Sequence, residues 1–398
     1  MSAQMQPGPQ SGPRLANEEE RLARVALNSL GEPGDPRLAR LVEAMGAQEL
    51  CARLEDDVDL AGLRSDASER LSVLDPRRIL DGARQRGIRF VVPGDAEWPS
   101  SFDDLARVEP LHGLAGPPLG VWARGPLSLA EATTNAVAIV GSRSATTYGT
   151  DVAATLASEV GSAGFTVVSG AAFGIDQAAH RGALAARAPT VAVLACGVDR
   201  HYPSNHRELL EHIAATGLVI AEAAPGWMPT KVRFLSRNRL IAALGTGTVV
   251  VEAAVRSGAL NTATWADRLQ RVVMGVPGGV SSAPSAGVHQ LLRSGAATLV
   301  TCGGHVLEAV SPAGHHLQDE PREQPRAHDA LDLTARRVLD AVPLIHPAPV
   351  ASIARTGGVS VATARRALAV LEQRGLVDGE EGRYRLRPRA PEVRSVPG

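Results

Sequence analysis

Short, continuous apolar runs recur through the central part of the chain, and each is followed by glycines or polar residues and then by a helical stretch. Continuous apolar runs are typical of strands buried on both faces, as in a parallel sheet. Their alternation with helices predicts an α/β fold with a doubly wound parallel sheet. The predicted strands are residues 136–140, 165–168, 190–195, 218–221, 248–251, 272–276 and 298–300.

The region before this sheet has a different pattern. Residues 17–87 place apolar side chains at helical spacing after an acidic start at Glu18, Glu19 and Glu20, which favours a small helical domain. We expect this domain to resemble sterile-alpha-motif domains. Two short strands, 89–92 and 119–122, lie among many prolines. We expect them to form a connector packed on the sheet, so that the α/β domain spans 88–303.

The C-terminal region, 329–388, predicts a winged helix-turn-helix. Helices are expected at 331–342, 350–355 and from Ser360 to about 374, followed by a hairpin. Ser360 is a suitable N-cap for the third helix, which carries Arg365 and Arg366. Residues 304–328 are rich in Pro, Gly, His and acidic side chains, which indicates a linker. Residues 1–16 and 389–398 are expected to be disordered tails.

Composition excludes several classes of protein. Of 398 residues, 44% are hydrophobic and 21% are charged, which is typical of a globular chain. No apolar stretch approaches the length of a membrane span, and the first residues lack a signal-peptide pattern. Three cysteines lie far apart, at 51, 196 and 302, so a disulfide framework is not expected. These features predict a cytoplasmic protein without a membrane segment.

The near-zero net charge of −1 excludes a generally basic nucleic-acid binder, but the charge is unevenly distributed. Residues 1–135 hold 15 basic and 21 acidic side chains, whereas residues 136–303 hold 13 and 9. The stretch between Glu222 and Glu252 has no acid. It contains the only lysine of the chain and three arginines: Lys231, Arg233, Arg237 and Arg239. Positive potential is therefore expected to be concentrated around the stretch between Glu222 and Glu252.

Unusual polar clusters follow the predicted strands, where ligands bind in such sheets. In Gly141-Ser142-Arg143 the small residues allow the backbone to approach a phosphate, and Arg143 offers a bidentate contact. A plain strand-to-helix turn is the alternative. A second loop contains Ser169, Gly170 and Gly174; Asp176 after it suits the first turn of a helix.

The later loops add aromatic side chains to the charges. Tyr202 could stack on a base, as Trp227 and Phe234 could, although a packed loop or core aromatic is equally consistent with the pattern. Arg237 and Arg239 are expected near a helix N-terminus, where they oppose the macrodipole, so an anionic ligand accounts for them better than stability does. The combination favours single-stranded nucleic acid.

The sequence lacks the motifs of a phosphate-loop ATPase, a metal site and a cysteine nucleophile. The chain has no GxxxxGK[ST] phosphate loop and no His/Cys/Asp set with metal spacing. Cys196 lies at the end of a buried strand, which disfavours it as a nucleophile. We therefore expect no cofactor, no metal and no catalytic residue.

The ordered motifs resemble the DprA/Smf DNA-processing family. The matching segments are IVGSR at 139–143, SGAAFGID at 169–176, GVDRHYPSNH at 197–206, RNR at 237–239 with Phe234 before it, VVVEAAVRSGALNTA at 249–263 and GVPG at 275–278. Three positions depart from the family pattern: Ser204 stands where a basic residue is frequent, Leu235 stands where proline is frequent, and Ala223 breaks the usual acidic-x-proline sequence after Glu222.

The resemblance implies an extended Rossmann-like domain and a non-catalytic cytoplasmic protein of natural transformation. It further implies binding and protection of single-stranded DNA, loading of RecA recombinase, and a homodimer formed through the α/β domain. Arg143, Arg237 and Arg239 would contact phosphates, and Gly170 and Gly174 would shape the pocket floor. The full set of expected DNA-binding residues is Gly141, Ser142, Arg143, Ser169, Gly170, Gly174, Tyr202, Asn205, Lys231, Arg233, Phe234, Arg237, Asn238, Arg239, Ser257 and Gly258.

Two alternatives remain at this stage. Residues 245–248 with Glu252 are similar to the PGGxGTxxE loop of nucleotide phosphoribohydrolases, in which a glutamate assists cleavage of the N-glycosidic bond, although the leading Pro-Gly-Gly is missing here. Alternatively, Arg365 and Arg366 of the winged helix could reach a major groove, as in a transcription factor.

Overall fold

The computed structural model describes residues 16–56, 67–318 and 331–387. These residues form two compact units, one ending at Gln318 and the other following it. Apart from Ala16, the tails expected at 1–16 and 389–398 lie outside the described residues, as does 319–330.

The N-terminal helices belong to the first unit and pack on its sheet. Val25 and Leu80 share a buried cluster with Trp122 and Ala192 of the sheet. Asn17, Asp35 and Asp75 cap helices as acceptors, consistent with the acidic and polar residues at their starts. The helices are α1 (Glu18–Leu30), α2 (Pro36–Met45), α3 (Ala47–Glu55), α4 (Ala67–Ser72) and α5 (Pro76–Arg84).

The sheet of the first unit has nine strands, and the seven predicted from continuous apolar runs are parallel to one another. The two strands expected in the connector pair antiparallel at one edge. In chain order the strands are β1 (Ile88–Val91), β2 (Val121–Arg124), β3 (Ala136–Val140), β4 (Thr166–Ser169), β5 (Thr190–Leu194), β6 (Leu218–Ala221), β7 (Gly247–Val250), β8 (Val272–Gly275) and β9 (Thr298–Leu299).

The spatial order is β1-β2-β6-β5-β4-β3-β7-β8-β9, which confirms the doubly wound, Rossmann-like fold. From β3 the chain runs through β4, β5 and β6 in one direction, then crosses to β7 on the other side of β3. The winding reverses between β3 and β7. A crevice at the carboxyl ends of these two strands is therefore the expected ligand position.

Helices cover both faces of the sheet. Side chains alternate along β3: Ala138 and Val140 belong to one buried cluster, Val137 and Ile139 to the other. Residues 304–310, expected to start a linker, are instead helical, because Val306 and Leu307 are buried against the sheet. The helices that follow β2 in the first unit are α6 (Leu129–Ala132), α7 (Thr147–Ser162), α8 (Ile175–Ala185), α9 (Arg207–Thr216), α10 (Lys231–Leu244), α11 (Gly258–Arg268), α12 (Ala286–Arg293) and α13 (Gly303–Val310).

Within residues 331–387, the second unit contains three helices around one apolar cluster and the predicted hairpin, and a third short strand at Ala348–Pro349 pairs with that hairpin. Ser360 caps the third helix by accepting from the Thr363 backbone N–H, as expected. Arg365 and Arg366 are exposed on that helix. The elements are α14 (Leu333–Asp340), β10 (Ala348–Pro349), α15 (Val350–Thr356), α16 (Val361–Gln373), β11 (Val377–Glu380) and β12 (Arg383–Leu386).

Candidate nucleic-acid interface

A cavity of about 690 Å³ lies at the carboxyl ends of β3 and β7, where the winding of the sheet reverses. The loop after β3, the loop after β7 and one side of α10 form its walls. Four cationic side chains and one carboxylate line it: Arg143, Lys231, Arg237, Arg256 and Asp176. This excess of positive charge in a concave site favours an anionic ligand.

The basic helix α10 begins at Lys231, six residues before the expected start at Arg237. Thr230 caps it, because its side chain accepts from the Arg233 backbone N–H at 3.3 Å. The macrodipole acts mainly within the first turn of a helix. The argument that Arg237 and Arg239 oppose the dipole is therefore wrong.

Arg237 is buried at the floor of the cavity, and its Nη1 donates to the Val193 carbonyl at 3.1 Å. Burial lowers the pKa of this guanidinium, whereas the nearby Asp176 raises it. Burial likewise raises the pKa of Asp176, against the effect of Arg237. An arginine guanidinium does not lose its proton in proteins, so Arg237 places a positive charge at the floor of the cavity.

Two glycines next to the cavity, Gly170 and Gly174, have no room for a side chain. A Cβ on Gly170 would lie 1.4 Å from Arg237 Nη1, so no other residue leaves the guanidinium in place. Gly174 has a φ of +76°, and its Cβ would lie 2.3 Å from the Ser142 carbonyl oxygen. Both glycines therefore bring backbone into close contact with residues that line the cavity, Gly170 with Arg237 and Gly174 with Ser142.

Phe234 joins the charges to an aromatic surface. The Arg143 guanidinium lies over its ring at 4.4 Å, and that of Arg237 lies 6.0 Å from the ring centroid. The Tyr202 ring packs against Phe234 with centroids 5.7 Å apart. Arg143 is exposed, so a stacked cation faces solvent at the mouth of the cavity.

Arg239 does not contact the cavity, contrary to expectation. Two residues on from Arg237, it lies about 200° around the helix and faces the opposite way. Its guanidinium is fully buried and pairs with both oxygens of Glu222, at 2.6 and 2.7 Å. The Gly116 carbonyl also accepts from its Nε at 3.1 Å. The assignment of Arg239 as a phosphate contact is wrong because an internal carboxylate already neutralises it.

Arg233 is also positioned elsewhere. Its guanidinium donates to both oxygens of Glu32, at 2.9 and 2.7 Å, and stacks on the Trp227 ring at 4.1 Å. It does not line the cavity, and it covers the aromatic surface that Trp227 was expected to offer. Lys231 is exposed and lines the cavity.

Of the remaining predicted residues, Gly141, Ser142, Asn238, Ser257 and Gly258 line the cavity. Ser257 caps α11, and Asn238 ties α10 to α11 by donating to the Gly258 carbonyl at 3.2 Å.

Two further expectations differ in position. The Ser169 hydroxyl is buried and donates to the Ile139 carbonyl at 2.6 Å, so it serves the sheet. Asn205 is exposed in a short 3₁₀ turn and does not line the cavity.

The sequence interpretation omitted Arg256 and gave Asp176 only a helix-capping role. Arg256 is an exposed cation in the loop just before the capping Ser257. Its place immediately ahead of a helix N-cap is a signal that could have identified it.

The features of the alternative functions serve other purposes here. The Glu252 carboxylate is buried and accepts from the backbone N–H and hydroxyl of Thr146, at 2.9 and 2.6 Å, at the start of α7.

Burial raises the pKa of the Cys196 thiol to about 11. Within residues 16–56, 67–318 and 331–387, no cluster of three His, Cys, Asp or Glu side chains could hold a metal ion. No helix in these ranges is long and apolar enough to span a bilayer.

A doubly wound sheet with a cation-lined cavity at its switch point, followed by a winged-helix unit, defines a Rossmann-like protein with a basic binding pocket. The sequence model of DNA recombination-mediator protein A matches residues 89–311. The chain belongs to this family, as its motifs indicated.

Relatives extend the match beyond those residues. The chain is 42% identical over 365 residues to a putative DNA processing protein DprA of Mycobacterium tuberculosis, covering 90% of this chain and 92% of the relative. It is 30% identical over 241 residues to DprA of Bacillus subtilis, covering 61% and 77%. The X-ray structure of DprA from Streptococcus pneumoniae superposes with a TM-score of 0.60 at 28% identity, covering 74% of this chain and 98% of that one.

Proposed function

We propose that the chain binds single-stranded DNA in the cavity between β3 and β7. The observation that carries this proposal is that Arg143 at the mouth of the cavity and Arg237 at its floor both lie beside the ring of Phe234, which also lines the cavity. Phosphates require the charges, and unpaired bases supply π faces for stacking. A duplex hides its base faces, so the single strand is the better match.

Membership of the family supports the wider role. In this proposal the protein protects incoming single strands and promotes loading of RecA recombinase during natural transformation, acting as a homodimer formed through the α/β unit in the cytoplasm. The pocket residues bind and orient DNA without catalytic chemistry.

The first test is a fluorescence-anisotropy titration of the purified chain with a labelled oligothymidine and with its duplex at moderate salt. We expect tighter binding of the single strand. The variant Arg143→Ala should bind at least about 10-fold more weakly, since a charge-assisted contact is lost. Arg181→Ala removes an exposed arginine that does not line the cavity and is the matched control. Equal binding by all three proteins would contradict the pocket assignment.

The second test addresses RecA. Filament assembly on single strands coated with single-strand-binding protein is followed by the ATPase activity of RecA, with and without the chain. We expect faster onset with the wild type and not with Arg143→Ala. An unchanged onset with a protein that binds DNA normally would remove RecA loading and leave DNA binding intact. Light scattering after size-exclusion chromatography measures the expected dimer.

A further inference from the structure

A second, smaller cavity of about 50 Å³ adjoins the large one. Arg143, Ala172 and Phe234 line both cavities, so the two share a wall. Phe173 and Tyr202 form further walls of the small cavity. We call this small cavity the aromatic slot.

Both walls of the aromatic slot are unusually exposed. Phe173 is 42% exposed and Tyr202 is 43% exposed. Among the described Phe, Tyr and Trp residues, only Tyr148 is comparably exposed. An exposed aromatic ring gains little from folding, and two such rings on one concave feature, next to a cationic cavity, indicate a binding surface.

The walls are held in place before any ligand arrives. The Phe173 ring packs edge-on against the His206 imidazole, with centroids 4.6 Å apart. His206 is buried and hydrogen-bonded through Nδ1 to the Ala171 carbonyl at 3.0 Å. Tyr202 leans on Phe234 at 5.7 Å. A ligand that stacks here therefore pays little to order these side chains.

We propose that the aromatic slot stacks one base of the bound strand, the neighbour of the nucleotide held in the large cavity. This inference rests on the proposed function. Arg143 lies on the shared wall, so its guanidinium faces the phosphate that links the two nucleotides. The slot is also lined by Gly170, Ala172 and Cys196, which supply few groups to read a base edge. Binding at the slot is therefore tolerant of sequence.

The experiment combines variants of Phe173 with oligothymidines that carry a single abasic site at successive positions. Loss of a stacking ring weakens binding by about 5- to 150-fold. We expect Phe173→Ala to show such a loss, Phe173→Tyr to bind like the wild type, and Phe173→Leu to lie between. The dependence of affinity on salt should not change, since no phosphate contact is removed. Tyr148→Ala, an exposed aromatic outside both cavities, should bind normally.

The abasic series locates the base. For the wild type, one position should lower the affinity most, and that position should have no further effect in Phe173→Ala, because the two changes remove the same contact. Melting temperatures of the variants show that each is folded. If the wild type binds the single strand while Phe173→Ala and Phe173→Leu bind equally well and the abasic series is flat, the slot is overturned and the proposed function stands. If the wild type does not bind at all, the proposed function itself fails.

Discussion

The guanidinium of Arg237 occupies the space that a side chain at Gly170 would fill, with Nη1 only 1.4 Å from the position of a Cβ. The two residues come from different elements, the loop after β4 and the middle of α10. The glycine therefore determines where the buried charge of the pocket lies.

The first prediction follows from this contact. Gly170→Ala should displace Arg237 and weaken binding of single strands by at least about 10-fold, since the charge-assisted contact depends on its position. The control is Gly82→Ala, a helical glycine of α5 with open space around its Cβ, which should stabilise the fold by about 1 kcal/mol and leave binding unchanged. Wild-type affinity in a folded Gly170→Ala protein would contradict the role of Arg237.

The second prediction separates charge from stacking by salt titration. The logarithm of the binding constant should fall linearly with the logarithm of salt concentration, with a slope of about −0.7 per neutralised phosphate of a single strand. Arg143→Ala should reduce this slope by about 0.7. Phe234→Leu should lower the affinity and keep the slope. Identical slopes for the wild type and Arg143→Ala would show that Arg143 contacts no phosphate.

The third prediction concerns the buried pair of Arg239 and Glu222. Arg239→Ala leaves a buried carboxylate without its partner and should lower the free energy of unfolding by about 3–5 kcal/mol in urea. Replacing both groups, as Arg239→Met with Glu222→Leu, should recover part of the loss. An Arg239→Ala protein of unchanged stability but weak DNA binding would restore the phosphate role that the geometry denies.

The fourth prediction uses His180, which is buried on α8 and hydrogen-bonds Thr190 at 2.7 Å. Burial lowers the pKa of this imidazole from 6.5 to about 3, with His206 and Arg237 acting in the same direction. The unfolded chain then binds the extra proton below pH 6.5, so stability falls as pH decreases through that window.

Unfolding in urea should therefore require about 2 kcal/mol less at pH 5 than at pH 7 because of this residue. His180→Asn retains a donor toward Thr190 and removes the titration, so its stability should differ less between the two pH values. The same difference in both proteins would assign the pH dependence to other groups.

The seven parallel strands could be predicted because each lies in a short apolar run with a glycine or polar residue at its end. The start of α10 could not, since Lys231 and Arg233 carry no apolar periodicity, and only the capping Thr230 marks the first turn. Local charge and the family motif both led to the wrong assignment of Arg239. Its partner Glu222 comes from the end of another element, and only the packing of β6 against α10 brings them together.

Spacing within the helix held information that charge did not. Residues 237 and 239 cannot share one face of an α-helix, so at most one of the two arginines could line a pocket. Phe173, which lines the aromatic slot, was not assigned a role from the sequence for a different reason. Nothing in a single sequence distinguishes an exposed ring in a loop from a buried one, and the contact of Phe173 with His206 joins residues far apart in the sequence.

Glu222 links the pocket helix to the start of the chain. Besides pairing with Arg239, its carboxylate accepts from the Gly34 backbone N–H at 3.3 Å, and its carbonyl accepts from the Asn28 side chain at 2.8 Å. A fragment cut at the first residue of the sheet would lose both donors and bare the apolar faces that α1 and α5 cover. A fragment that preserves the cation-lined cavity should therefore begin ahead of α1, and shorter expression fragments are expected to aggregate.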